Sequence, residues 1–151
     1  MQAIYIWASP VPKMGPPPLP RAVDDVAAAP RRSRILVIED DPIVSLAMEN
    51  LLADAGYLVL ASCAGGEAAL RLAEHERPDL ILADVKLAGA MDGVDAVAAL
   101  LPRYRVPVIF VTAHTDAATR ARMTALAPAE ILAKPISDVL LLHAVAAALR
   151  G

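Results

Sequence analysis

One cysteine, Cys63, and five aromatic residues, Tyr5, Trp7, Tyr57, Tyr104 and Phe110, are all that the 151 residues contain of either kind. A lone thiol cannot close an internal disulfide, which excludes a stapled secreted scaffold and fits a reducing, cytoplasmic setting. With so few rings, the core has to be built from aliphatic side chains. Positive charge is not in surplus either: 14 Lys+Arg face 17 Asp+Glu, a formal net charge of −3. A phosphate-backbone partner usually requires a basic excess, so no nucleic acid is expected as a ligand. Apolar runs stop short of the roughly 18 to 20 residues that span a bilayer, so no membrane partner is expected. The N-terminus lacks the basic and then apolar order of a secretory signal. The 57% hydrophobic content does not contradict this, because 32 of the residues it counts are alanine.

Proline is unevenly spread, with 7 of the 13 in the first 30 residues, including Gly15-Pro16-Pro17-Pro18-Leu19-Pro20. Such a stretch cannot satisfy a helix or sheet ladder. Residues 1–33 are therefore expected to be a disordered Pro/Ala-rich extension, with Met14 an alternative start, and residues 34–150 one globular domain of ordinary size.

At Arg34 the texture changes. Ile35-Leu36-Val37-Ile38 is an aliphatic run without polar alternation, which reads as a strand buried on both faces. Asp41 followed by Pro42 reads as a helix start, because the carboxylate can accept free backbone N–H groups and proline suits the first helical position. Val44, Ala47, Met48, Leu51 and Leu52 follow at helical spacing, and Gly56 stands where a helix would stop. The unit repeats, with strands expected to begin near Arg34, Tyr57, Asp79, Pro107 and Ala129. Further helical patterns cover about 66–76, 94–101, 116–126 and 138–149. Five strands alternating with five helices imply an α/β fold, a (βα)5 doubly wound parallel sheet.

In such a sheet, ligands bind beyond the carboxyl ends of the strands, where strand order reverses. The residues at those ends are Glu39, Asp40 and Asp41 after the first strand, Asp84 after the third, Thr112 at the fourth and Lys134-Pro135 after the fifth. Glu39, Asp40 and Asp84 brought within a few ångströms would repel, so one must take a proton or the group must bind a cation. Oxygen donors without histidine or thiolate suit a hard ion, and Mg2+ matches best. An aspartate beside Mg2+ and a lysine is arranged as a nucleophile toward a phosphoryl group, giving an aspartyl phosphate. Thr112 could then bond the new phosphoryl oxygen and so provide a two-state switch.

The segments ILVIEDDP, LILADV, VIFVTAH and ILAKP, in this order over residues 34–135, closely resemble the receiver domain of bacterial two-component response regulators. The resemblance implies a flavodoxin-like sheet of strand order 2-1-3-4-5 and phosphotransfer from a sensor histidine kinase, or a histidine phosphotransfer protein, to Asp84. It implies Mg2+ held by Asp40, Asp84 and the backbone carbonyl of Lys86, with Glu39 acting directly or through water. Thr112 would be the switch hydroxyl and Lys134 the phosphoryl partner, and Lys134-Pro135 resembles the family's cis peptide. Two departures stand out: Ile131 occupies the position where the family usually has an aromatic switch residue, and the loop 85–93 is one residue longer than usual and has no proline.

Other residues carry weaker signals. Lys86 and His114 could influence phosphoryl lifetime, while His75 and His143 are expected on helices as surface or packing residues. Cys63 reads as a small hydrophobe at a strand end. Between Asp138 and Arg150 only His143 interrupts an apolar pattern, which suggests a partner or homodimer surface on the last helix. Together these features read as a single-domain receiver that signals in trans to a downstream protein. It would be no enzyme beyond its own phosphorylation and dephosphorylation. A receiver-fold binding module independent of phosphorylation is the alternative. A Mg2+-dependent phosphatase is disfavoured, because an acid/base aspartate two residues after the nucleophile is missing and that position is Lys86.

Overall fold

The structure, a computed structural model, describes residues 31–113 and 116–151. The expected extension, apart from its last three residues, and His114 lie outside the described residues. Five strands, β1 (Arg34–Ile38), β2 (Leu58–Cys63), β3 (Leu80–Ala83), β4 (Val108–Thr112) and β5 (Glu130–Ala133), form one sheet. All pairings are parallel and the order is β2-β1-β3-β4-β5, as expected. The intervening helices are α1 (Pro42–Asp54), α2 (Gly66–Ala73), α3 (Gly93–Leu100), α4 (Ala117–Ala125) and α5 (Asp138–Arg150).

Successive strand residues point to opposite faces, so the sheet builds two cores from one set of strands. Leu36, Ile38, Ile81 and Phe110 pack with Ala69, Val97 and Leu100 of α2 and α3. Ile35, Val37, Leu82, Ile109 and Val111 pack with Met48 and Leu52 of α1 and with Leu141 and Val145 of α5. Phe110 is fully buried, and burying such a ring contributes roughly 1.5–3 kcal/mol. Central strands β3 and β4 are buried along their whole length. At the edge, β5 buries only Leu132.

Local chemistry sets the helix boundaries. The Asp41 carboxylate accepts from the N–H groups of Ile43 at 2.8 Å and Val44 at 3.2 Å, with Pro42 in the first helical position. Asp92, Asp116 and Ser137 cap α3, α4 and α5 in the same way. Gly56, just past α1, has φ +90°, a backbone region that favours glycine.

Four strands begin one residue later than the sequence pattern suggests, at Leu58, Leu80, Val108 and Glu130, the residue before each lying in the connecting segment. Helix α2 ends at Ala73, so His75 sits in the following turn and not on a helix. His143 is exposed on α5. The apolar surface of α5 is largely used within the chain: Leu141, Ala144 and Val145 are buried, and Leu142, Ala148 and Leu149 pack against the same core. Its exposed large side chains, Val139 and Leu140, are confined to the first turn.

Candidate functional site

Strand order reverses between β1 and β3, and the carboxyl ends of those two strands lie side by side, with Ile38 opposite Ala83. Each strand is followed directly by acid, Glu39-Asp40-Asp41 after β1 and Asp84 after β3. The Asp84 N–H donates to the Ile38 carbonyl at 2.9 Å, which ties the two ends together. The acids border an open cleft of about 520 Å³ that also reaches Lys86, Ala88 and Lys134. Lys134 arrives from β5, where its N–H donates to the carbonyl of Thr112 at 3.1 Å. Thr112 itself ends β4 and is 1% exposed. The peptide bond between Lys134 and Pro135 is cis.

One donor atom from each of Glu39, Asp40 and Asp84 lies within 4.8 Å of the others. Among the described residues, this is the one group of acidic, histidine or cysteine side chains close enough to share an ion. Two formal charges at that separation repel by roughly 3 kcal/mol at an effective dielectric near 20. Lys134 offsets part of this, its Nζ donating to Asp84 Oδ2 at 2.7 Å and to Glu39 Oε2 at 2.8 Å. Burial disfavours the ammonium, but the hydrogen bonds and charges of Asp84 and Glu39 outweigh it and hold its pKa above the ordinary lysine value.

Each carboxylate is also gripped by backbone. Glu39, 3% exposed, accepts the Asp41 N–H on Oε1 at 3.1 Å, so its other oxygen is free to meet Lys134. Asp84 accepts the Lys86 N–H on Oδ1 at 3.2 Å. Asp40 accepts the Ala88 N–H on Oδ2 at 3.0 Å. One ammonium against three carboxylates leaves negative charge in excess, and an oxygen-only donor set fits a hard divalent cation. The residues present therefore suit Mg2+.

The sequence profile of the response regulator receiver domain matches residues 35–146. The chain belongs to that family. Receiver domains bind Mg2+ at an acidic pocket of this kind and are phosphorylated by histidine kinases in two-component signalling. This receiver is 38% identical over 109 residues to the phyllosphere-induced regulator PhyR of Methylorubrum extorquens, a match covering 72% of this chain and 40% of that protein. The signal receiver domain of a modulated diguanylate cyclase from Desulfovibrio desulfuricans superposes with a TM-score of 0.75 at 33% identity, over 80% of this chain and 95% of that one. The receiver domain of Erythrobacter litoralis PhyR superposes with a TM-score of 0.69 at 30% identity, over 79% and 91% of the two chains.

The five residues read from strand ends, Glu39, Asp40, Asp84, Thr112 and Lys134, thus stand on one rim of the receiver sheet. Lys86 is exposed beside the cleft, with its amide turned to Asp84. Ile131 is partly buried against the core. Two features escaped the sequence: the bond from Lys134 to Glu39, and the grip of the Ala88 amide on Asp40. Neither leaves a motif, because one joins residues 95 apart and the other joins a main-chain donor to an acid 48 residues away.

A second group lies beside α3. Arg122 of α4 bonds Asp92 at 2.7 Å and Asp95 at 2.7 Å. Burial works against ionisation of Asp92, but the Arg122 hydrogen bond and the Asp95 N–H prevail and hold it below the usual carboxylate range. No helix among the described residues is long and apolar enough to cross a membrane.

Proposed function

We propose that this receiver takes a phosphoryl group from the phosphohistidine of a sensor kinase, or of a histidine phosphotransfer protein, onto Asp84. The observation that carries the reading is the placement of Asp84, held by the Lys86 amide and Lys134 within the acidic cluster. An Asp84 carboxylate oxygen attacks phosphorus. The P–N bond breaks with its electron pair going to the imidazole, and an acyl phosphate forms. Glu39, Asp40, Asp84 and the Lys86 carbonyl would hold Mg2+, which when bound offsets charge on the phosphoryl oxygens. The Lys134 ammonium, already at Asp84, meets a second phosphoryl oxygen, and the Thr112 hydroxyl bonds a third.

Signalling is then in trans, to a protein partner in the bacterial cytoplasm, by movement of Thr112 and the loops of the rim. Ile131 has no ring to swing, so an aromatic flip plays no part. An apolar cleft of about 430 Å³ lined by Val44, Met48, Pro135 and Ile136 shares Lys134 with the site. Ile43 and Val139 stand 79% exposed in the first turns of the two flanking helices. These features support a protein as the phosphoryl donor in signalling. The receiver catalyses only its own phosphorylation and dephosphorylation.

Acetyl phosphate with Mg2+ is expected to retard the protein on a phosphate-affinity gel, and Asp84→Asn to abolish the shift. A shift that persists in Asp84→Asn overturns the assignment.

A further inference from the structure

Resting on the cation site proposed above, we infer that the backbone amide of Ala88 is a positioning group for that site, orienting Asp40 and fixing the loop that carries the Lys86 carbonyl. The loop 85–92 is anchored on both sides of the acids. At its end, Gly93 donates its N–H to the Val85 carbonyl at 2.8 Å. On the α2 side, the missing side chain of Gly66 makes room for Met91, whose Cγ lies 2.7 Å from where a Cβ would stand. These contacts hold the loop by groups that are no part of the acidic cluster. The Ala88 donor is therefore presented to Asp40 by the fold.

Within the loop, the two amides of residues 86 and 88 each take one acid: Lys86 bonds Asp84 Oδ1 at 3.2 Å and Ala88 bonds Asp40 Oδ2 at 3.0 Å. The Lys86 carbonyl belongs to the stretch of chain between these two anchors. A carboxylate ligand left without its outer hydrogen bond samples orientations that do not bind, and such bonds are typically worth 10–100-fold in metal affinity. A proline at position 88 would have no N–H to give. The absence of proline from this loop thus has a chemical consequence at Asp40.

Calorimetric titration of the unphosphorylated full chain with Mg2+, and with Mn2+ as a second probe, tests the role directly. Ala88→Pro is expected to weaken binding by roughly 10–100-fold. Ala90→Pro, which stiffens the loop but leaves the Ala88 amide in place, is expected to bind as wild type. Equal affinity in Ala88→Pro and wild type, or equal loss in both proline variants, overturns the inference. Amide hydrogen exchange by NMR covers the case in which a proline variant does not fold. In wild type the Ala88 amide should be protected and stay protected in saturating Mg2+, and Asp40→Ala should expose it while core amides keep their protection. Protection that vanishes when Mg2+ is added would make the amide a stand-in displaced by the ion, and would overturn the role. Wild-type protein that takes up no Mg2+ overturns the cation site itself, and this role with it.

Discussion

A β-carbon on Gly93 would stand 1.7 Å from the carbonyl oxygen of Asp84. The first turn of α3 therefore rests directly on the backbone that carries the proposed phosphoacceptor, and no side chain can be inserted between them. Gly93→Ala must push α3 and the end of β3 apart. It is expected to cost roughly 3 kcal/mol, at the upper end of overpacking effects, in urea denaturation monitored by circular dichroism. Phosphorylation by acetyl phosphate should slow in parallel, since Asp84 shifts with its backbone. A variant as stable as wild type would show that this contact yields.

Lys134 bridges two nearly buried carboxylates, and removing it leaves them facing each other. Lys134→Met is expected to lose roughly 2 kcal/mol, the cost of breaking a buried pair discounted for the lysine's partial exposure. The folded-state pKa of Lys134 is raised, so its contribution is fully present below the unfolded lysine value of about 10.4 and fades as pH rises through the higher folded value. Thermal melts from pH 6 to 11.5 should show the wild-type advantage over Lys134→Met constant to about pH 10 and shrinking above it. An advantage that first shrinks between pH 6 and 8 would contradict this pairing.

The Arg122 fork onto Asp92 and Asp95 is exposed to solvent, which limits its worth. A double-mutant cycle of Arg122→Ala and Asp92→Ala is expected to give a coupling of about 0.5–1 kcal/mol that weakens in high salt. Asp92→Ala alone should cost about 1–2 kcal/mol, because the same carboxylate caps α3 by accepting the Asp95 N–H at 2.9 Å. The pKa of Asp92 is lowered in the fold, so this coupling is fully present above the unfolded aspartate value of about 3.9 and is lost as pH falls from there through the lower folded value. Coupling that strengthens as pH falls below about 4 would not come from these charges.

Ala127 has φ +49° just past the end of α4, a conformation in which its β-carbon crowds the following carbonyl. Ala127→Gly should relieve this and stabilise the receiver by about 0.5–1 kcal/mol, despite the greater freedom of glycine when unfolded. Phosphorylation should be unchanged. Chemical denaturation showing a loss of stability would mean that the methyl group's packing matters more than its strain.

Much of the architecture was legible because its causes are local. Ile35-Leu36-Val37-Ile38 has no polar residue to turn outward and ends at acids and a proline after four residues, so it reads as a strand covered on both faces. Asp41-Pro42 starts a helix through bonds spanning two and three residues. Repetition of that unit implies parallel pairing, and the acids, Thr112 and Lys134 then fall on one rim because every strand runs the same way. Local pattern misled where burial depends on neighbours. The apolar face of α5 reads as surplus, but its Leu141, Ala144 and Val145 are buried in one core with Leu82, Val111 and Leu132 of the sheet. Edge strand β5, placed there by the expected order 2-1-3-4-5, buries only Leu132 although its residues after Glu130 are as aliphatic as those of the central strands.

By itself, the amino-acid sequence determined the element types, their order and the residues offered at the strand ends, all consequences of spacing, capping and side-chain volume. Tertiary structure alone decided which of those groups touch. Lys134 reaches Asp84 and Glu39 across 50 and 95 residues, Ala88 reaches Asp40 across 48, and Arg122 reaches Asp92 across 30. Such contacts depend on crossover geometry and loop path, which no local preference encodes. A main-chain donor such as the Ala88 amide is present in nearly every residue, and only the path of the folded loop singles this one out.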